Sequence, residues 1–193
     1  MAQNRDYLIE LDAAIGDADH GANMDRGFKA VLEKLPSLAA NDIGVVFKAT
    51  GMTLVSTVGG AGGPLYGTFF LQAGMKTSGK TELNLEEWTE ALQAAVEGVR
   101  QRGKAEPGDK TMLDALLPAV EALQHACLQN TPLALALHES AEAARQGMEA
   151  TKPLVARKGR ASYLGERSAG HQDPGATSSY LILKAATETW SES

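Results

Sequence analysis

Apolar residues recur at three- and four-residue steps along nearly the whole of this 193-residue chain, a spacing that limits it to packed amphipathic helices. Leu8, Leu11 and Ile15 share one face, as do Met24, Phe28, Val31 and Leu35. The same holds for Leu85, Trp88, Leu92, Val96 and Val99, and for Met112, Leu116, Val120 and Leu123. Leu133, Leu135 and Leu137 alternate as a strand does. The wider series Leu133, Leu137, Ala141, Ala144 and Met148 continues at helical steps, however, and alanine and leucine favour helix, so this segment is read as helix. Breaks at Gly16, Gly103, Pro107 and Pro132, and a start with Asp173 as N-cap and Pro174 as first helical residue, give about eight helices. Short connections favour antiparallel neighbours in a bundle or closed ring. With 44% hydrophobic residues, no repeat and no flexible linker, residues 1–193 are expected to form a single domain.

Charge and cysteine content narrow the function classes. Eighteen basic against 24 acidic residues give a net charge of −6 without a long basic run, which argues against nucleic acid as the main ligand. The single cysteine, Cys127, cannot form an intrachain disulfide; its helical spacing from Val120 and Leu123 reads as a buried structural thiol in a reducing compartment. The N-terminal MAQNRDYLIELDAA lacks a basic segment followed by an apolar one, and no apolar run approaches the roughly 18 residues that cross a bilayer. A cytoplasmic protein is expected.

Residues 15–21, IGDADHG, concentrate charge where a helix ends. Asp12 shares a face with Leu8 and Ile15 and falls in the last turn before Gly16, where the helix dipole disfavours an anion, so something must offset it. Asp17 and Asp19 follow, and three carboxylates this close repel one another unless a cation or hydrogen-bond donors compensate. Two readings stand side by side: hard oxygen ligands for magnesium, or simple capping of a helix that begins near His20. An EF-hand is excluded, because with Asp17 first the sixth position is Ala22 and the twelfth Phe28.

Two stretches break the helical pattern. VGGAGGPLYG, residues 58–67, offers main-chain amides unobstructed by side chains at the start of a helix through Leu65 to Met75, suited to phosphate or to tight helix packing. It is neither a Walker loop nor a dinucleotide fingerprint. Residues 152–173 are too long and aperiodic for an ordinary connection. Their Arg157, Lys158, Arg160 and Arg167 suit a polyphosphate or simply solvent, and His171 either meets a ligand or fixes the loop. In AEPGDKTMLDAL, Asp109 reads as a cap with Met112 and Leu113 opening the apolar face; His125 and His138 lie inside helices without a catalytic role.

Taken together and in order, IGDADHGANMDRGF, GMTLVSTVGGAGGPLYGTFF, RGKAEPGDKTMLDAL and ARKGRASYLGERSAGHQDPGATS span nearly the whole chain. They resemble the nucleotide-binding L subunits (DhaL) of bacterial dihydroxyacetone kinases, HQDPGATS being the most specific block. The resemblance implies an all-α closed barrel of about eight antiparallel helices with the nucleotide at one rim. It also implies two Mg²⁺ ions on Asp12, Asp17 and Asp19; phosphates along His20, Gly21, Ala22 and Asn23 and along Ala61 and Gly62; adenine beside Gly103 and Met112; and residues 152–173 as a lid that closes the site with Arg160 and Asp173. Arg160 is the candidate for stabilising the phosphoryl group in transfer. In phosphotransferase-dependent members, bound ADP acts as a coenzyme: it takes a phosphoryl group from a phosphohistidine on a partner protein and passes it to dihydroxyacetone on the K subunit. Related possibilities are a subunit of an ATP-using dihydroxyacetone or other ketose kinase, and a regulatory module that binds a transcription regulator. The family usually has serine where Gly62 stands, and its members commonly begin with a further helical stretch before the segment matching Tyr7 to Ile15.

Overall fold

A computed structural model describes residues 1–190. Its helices are α1 (Arg5–Ile15), α2 (His20–Leu38), α3 (Ile43–Thr57), α4 (Gly62–Lys76), α5 (Leu85–Gly103), α6 (Leu113–Leu128), α7 (Leu133–Ala150) and α8 (Pro174–Trp190). Two short 3₁₀ segments, Ala2–Asn4 and Arg160–Ser168, complete the regular structure, and the described residues contain no strand. The all-α class follows the apolar spacing, and the ambiguous Leu133 segment is helix. Among the described residues no helix is long and apolar enough to cross a membrane.

The chain divides into two compact units that interleave in sequence: Met1–Arg5 with Ala22–Lys104, and Asp6–Gly21 with the residues from Ala105 on. In the first unit α3 packs on α4 and α4 on α5. Glycines permit the α3–α4 approach, since a Cβ on Gly51 would lie 2.8 Å from the Gly67 carbonyl oxygen and one on Gly74 2.8 Å from that of Gly44. Beyond this seam the core is aromatic: Phe70 stacks edge-on to Phe28 and Phe69 and tilts against Phe47, which in turn meets Trp88. The start of α5 is fixed by a capping box, with the Asn84 side chain accepting from the Glu87 amide and the Glu87 carboxylate from that of Asn84.

In the second unit α6, α7 and α8 pack on one another. Their contact faces carry Ala115, Ala119, Ala126, Ala136 and Ala144, none exposed, and Ser140 Oγ donates to the Ala119 carbonyl at 3.0 Å. Cys127 is half-buried rather than enclosed. The helix after the Glu106–Thr111 turn starts later than its sequence suggests. Leu113 is its first residue, and Asp109 turns back to accept from the Glu106 amide at 2.9 Å instead of capping it. Asp114 takes the amides of Gly108 and Thr111 at 2.6 and 2.7 Å. The cause is backbone curvature, with Gly108 (φ 87°) and Lys110 (φ 63°) both left-handed just before the helix.

The Lys110 side chain is 1% exposed, and its ammonium donates to the main-chain carbonyls of Thr151 (2.8 Å), Leu154 (3.1 Å), Lys152 (3.4 Å) and His171. It therefore grips both roots of the 152–173 segment. That segment is closed further by Gly170 N–H to Lys152 O (2.7 Å) and by Ser168 Oγ, which accepts from the Ala156 amide and donates to Gly165 O. At its end Asp173 caps α8 as its sequence predicts, accepting from the Ala176 amide at 2.6 Å while its own amide donates to Thr151 Oγ1.

Two stability experiments follow from these contacts. Lys110→Met leaves four inward carbonyls without their donor, so chemical denaturation should show a loss of about 2–4 kcal/mol. Trypsin should cut the variant faster at Arg157 and Lys158, and unchanged stability would mean that the cage is energetically idle. Burial pushes the Asp173 carboxyl up to about 7, helped by Asp114 and Asp12 and opposed by the Ala176 amide and Lys110. A carboxyl raised this way holds its proton longer in the native state than unfolded, so its contribution is full below about pH 4 and is lost as pH rises through about 7. Asp173→Asn keeps the capping acceptor without the titration; in ligand-free protein its unfolding free energy should fall less between pH 4 and 7 than that of the parent. Parallel curves would show that Asp173 titrates as an ordinary carboxylate.

Candidate functional site

The second unit gathers the acidic loop. Asp12 sits in the last turn of α1, 8% exposed, and its Oδ2 accepts from the amides of Asp19 (2.8 Å) and His20 (3.1 Å). The dipole conflict at the end of α1 is thus offset by the positive end of α2. Gly16 is required beside it, because a Cβ there would lie 2.1 Å from Asp12 Oδ1. Between Asp17 and Asp19, Ala18 takes φ 61°, a left-handed conformation that costs a non-glycine residue energy. The bend brings one carboxylate oxygen from each of Asp12, Asp17 and Asp19 within 4.8 Å of the others. Capping falls to Asp12, so Asp17 and Asp19 keep exposed carboxylates, and Arg160 Nη2 stands 3.1 Å from Asp17 Oδ2. Three hard anionic oxygens, only one of them from a carboxylate paired with a cationic side chain, suit a divalent cation, and the Gly16 cradle leaves Asp12 Oδ1 unobstructed.

Beside this cluster the His20 ring Nε2 lies 2.8 Å from Ser178 Oγ. Burial lowers the imidazole pKa, against the pull of Asp12 and Asp19 in the other direction, so the ring is neutral at pH 7. Gly21 is buried in the same first turn of α2. Met112 stands at the N-cap of α6, 5% exposed, and a Cβ on Gly175 would come 3.0 Å from Asp173 Oδ2 and 3.6 Å from the Met112 amide. Met112 and Asp173 therefore flank one glycine. Arg157, Lys158, Arg160 and Arg167 are exposed along the 152–173 segment. His171 is exposed too and contributes its carbonyl to Lys110, which favours its role in fixing the loop.

The first unit holds the remaining candidates. Asn23 is 8% exposed, and Ala22 is half-buried just before it. Ala61 is the N-cap of α4 and has no side-chain acceptor, so the α4 amides are left to other partners. Gly60 (φ 62°) turns the chain into that helix. A Cβ on Gly62 would lie 3.2 Å from Val58 Cγ1, so a larger residue needs only a small side-chain shift there. Gly103 ends α5 against Leu65, whose Cδ2 is 3.2 Å from where its Cβ would be. Sequence reasoning missed Lys110 and Ser178; a lysine in a glycine- and proline-rich turn reads as solvated, and the serine as one more helical polar residue.

Residues 14–188 match the DAK2 domain model. The chain is 53% identical over 179 residues to the ADP-binding subunit DhaL of the PEP-dependent dihydroxyacetone kinase of Escherichia coli, covering 93% of this chain and 85% of that one. It is 45% identical to a Listeria innocua ADP-binding subunit DhaL, covering 97% and 88%. With human triokinase/FMN cyclase it shares 35% identity over 95% of its own length, but only 32% of the other's. Among solved structures, the native dihydroxyacetone kinase of C. freundii superposes with a TM-score of 0.69 at 29% identity, over 97% of this chain and 32% of that one. The same enzyme with AMP-PNP and Mg²⁺ gives 0.66. A family model over most of the chain, near full-length identity to separate subunits and a shared helical fold lead to one conclusion: the chain belongs to the DAK2-domain family, with the DhaL subunits of bacterial dihydroxyacetone kinases.

Proposed function

We propose that this chain is the ADP-binding subunit of a phosphotransferase-dependent dihydroxyacetone kinase, working with a dihydroxyacetone-binding K subunit and a phosphohistidine donor protein. The observation that carries the reading is the Asp12–Asp17–Asp19 triangle with Arg160 on Asp17, in a chain that matches separate DhaL subunits over nearly their whole length. When bound, ADP held by two Mg²⁺ ions supplies the acceptor for a phosphoryl group arriving from the phosphohistidine and its route to dihydroxyacetone. Phosphoryl transfer needs in-line positioning and charge neutralisation more than a protein nucleophile.

The residues divide these tasks. Asp12, Asp17 and Asp19 hold the metal; Asp12 is fixed in advance by two amides and the other two by the strained turn at Ala18. His20, neutral, and Gly21, Ala22 and Asn23 line the phosphates from α2, while Ala61 and Gly62 offer uncapped amides from α4. Gly103 and Met112 bound the adenine, and Asp173 closes the site at the start of α8. Arg160 exchanges its ion pair with Asp17 for developing phosphoryl charge, and residues 152–173 act as the lid that carries it.

Mass spectrometry of the gently purified protein tests this reading: retained ADP is expected from the parent and not from Asp12→Asn, Asp17→Asn or Asp19→Asn. A neutral amide cannot balance the metal, so in saturating Mg²⁺ and ADP each variant should also lose most of the ligand-induced rise in melting temperature. Equal nucleotide binding by all three would remove the metal assignment. Arg160→Ala, assayed with the K subunit, dihydroxyacetone and the donor, should lower the transfer rate by more than it lowers ADP affinity. Arg160→Lys should recover only part of that rate, lacking the planar fork of donors. An unchanged rate for Arg160→Ala at saturating partner would leave residues 152–173 as a structural loop.

A further inference from the structure

Arg26 is an exposed residue in the second turn of α2 that no functional assignment above includes. Its Nη2 donates to Asn23 Oδ1 at 2.6 Å, and its Nε donates to the main-chain carbonyl of Thr57, the last residue of α3, at 2.9 Å. One guanidinium thus joins a buried amide side chain to the helix end that leads into the glycine-rich segment. Two residues beyond Thr57, a Cβ on Gly59 would lie 3.0 Å from Asn23 Oδ1 and 3.1 Å from Asn23 Nδ2, so glycine is what lets the backbone pass this amide.

We propose that Arg26 is a positioning residue for nucleotide phosphate: it locks the Asn23 amide so that its NH₂ group, not its carbonyl, faces the ligand. A guanidinium has donors only, so its bond to Asn23 must be accepted by Oδ1. The reversed amide would set N–H against N–H. With Oδ1 engaged, Nδ2 keeps both hydrogens, and no acceptor meets them among the described residues. An amide on a largely buried side chain whose Nδ2 donors meet no such acceptor, beside a glycine loop, suits a phosphate oxygen, whereas an outward carbonyl would repel it. Arg26 also satisfies a C-terminal carbonyl of α3, so the same side chain sets the distance between Asn23 and the loop that follows.

This inference rests on the nucleotide-binding reading above. The test is calorimetry of Mg·ADP and of adenosine with the parent, Arg26→Ala, Arg26→Lys, Asn23→Ala and the Arg26→Ala/Asn23→Ala pair, each checked by thermal unfolding. Arg26→Ala should weaken Mg·ADP about tenfold while changing adenosine less than about twofold, and Arg26→Lys should recover part of the loss. In the Asn23→Ala background, removing Arg26 should cost less than about twofold more, because its effect passes through that amide. The same loss with and without Asn23 would overturn the proposal in favour of a direct phosphate contact, and an equal loss for adenosine would overturn it in favour of general structure. Failure of the parent to bind Mg·ADP at all would instead overturn the nucleotide reading, and this inference with it.

Discussion

The Lys110 ammonium, enclosed by the carbonyls of Thr151, Lys152, Leu154 and His171, is the point on which the 152–173 segment and the start of α8 depend. Burying a charge away from water is costly, and burial does lower the Lys110 pKa, against the attraction of Asp173. Four carbonyl dipoles offset that cost only if all four stay in place. The 152–173 excursion is therefore held at both roots by one group, which leaves the stretch that carries Arg157 to Arg167 between fixed ends. Thr151 relays the constraint, accepting from the Asp173 amide and donating to Met148 O, so the cap of α8 is fixed by the same arrangement.

The acidic loop stores a different tension. Three carboxylates converge at a turn whose central residue, Ala18, is left-handed without being glycine, and the Arg160 pair on Asp17 is exposed and correspondingly weak. Local repulsion and backbone strain of this kind persist where surrounding structure over-determines them, here through the two amides on Asp12 and the close fit of Gly16. The three carboxylate oxygens are thus brought together by the chain's own contacts, and under the metal-binding reading proposed above such preorganisation would lower the reorganisation that binding requires.

Much of this was legible in the sequence, and the parts that were not share a cause. Helix positions followed from apolar spacing, and the Asp173-Pro174 start of α8 from cap chemistry, because both are local. The conflict at Asp12 was visible as a charge in the wrong place; which donors resolve it was not, since they lie seven and eight residues on and depend on the turn at Ala18. Asp109 failed as a cap because Gly108 and Lys110 bend the chain before α6, and positive φ at lysine has no sequence signature. Lys110 itself and the Arg26–Asn23 contact resisted prediction for opposite reasons. A lysine is assumed solvated until a tertiary cage is seen, and an arginine at i+3 from an asparagine is one of many such pairs on any polar helix face.

The interleaving of the two units bears on how the chain is made. Ala22–Lys104 is continuous, with α3, α4 and α5 packed in the order they leave the ribosome, so it can complete its contacts as soon as its last helix emerges. Asp6–Gly21 emerges earlier yet belongs with residues from Ala105 on, so α1 and its aspartates must wait for α6 to α8 while the intervening segment is synthesised. Those delayed, long-range contacts carry the larger loop-closure cost and the slower step. Meanwhile the apolar face of α1, with Leu8 and Ile15, stays uncovered, which makes nascent chains of this protein candidates for chaperone engagement until translation has passed α8.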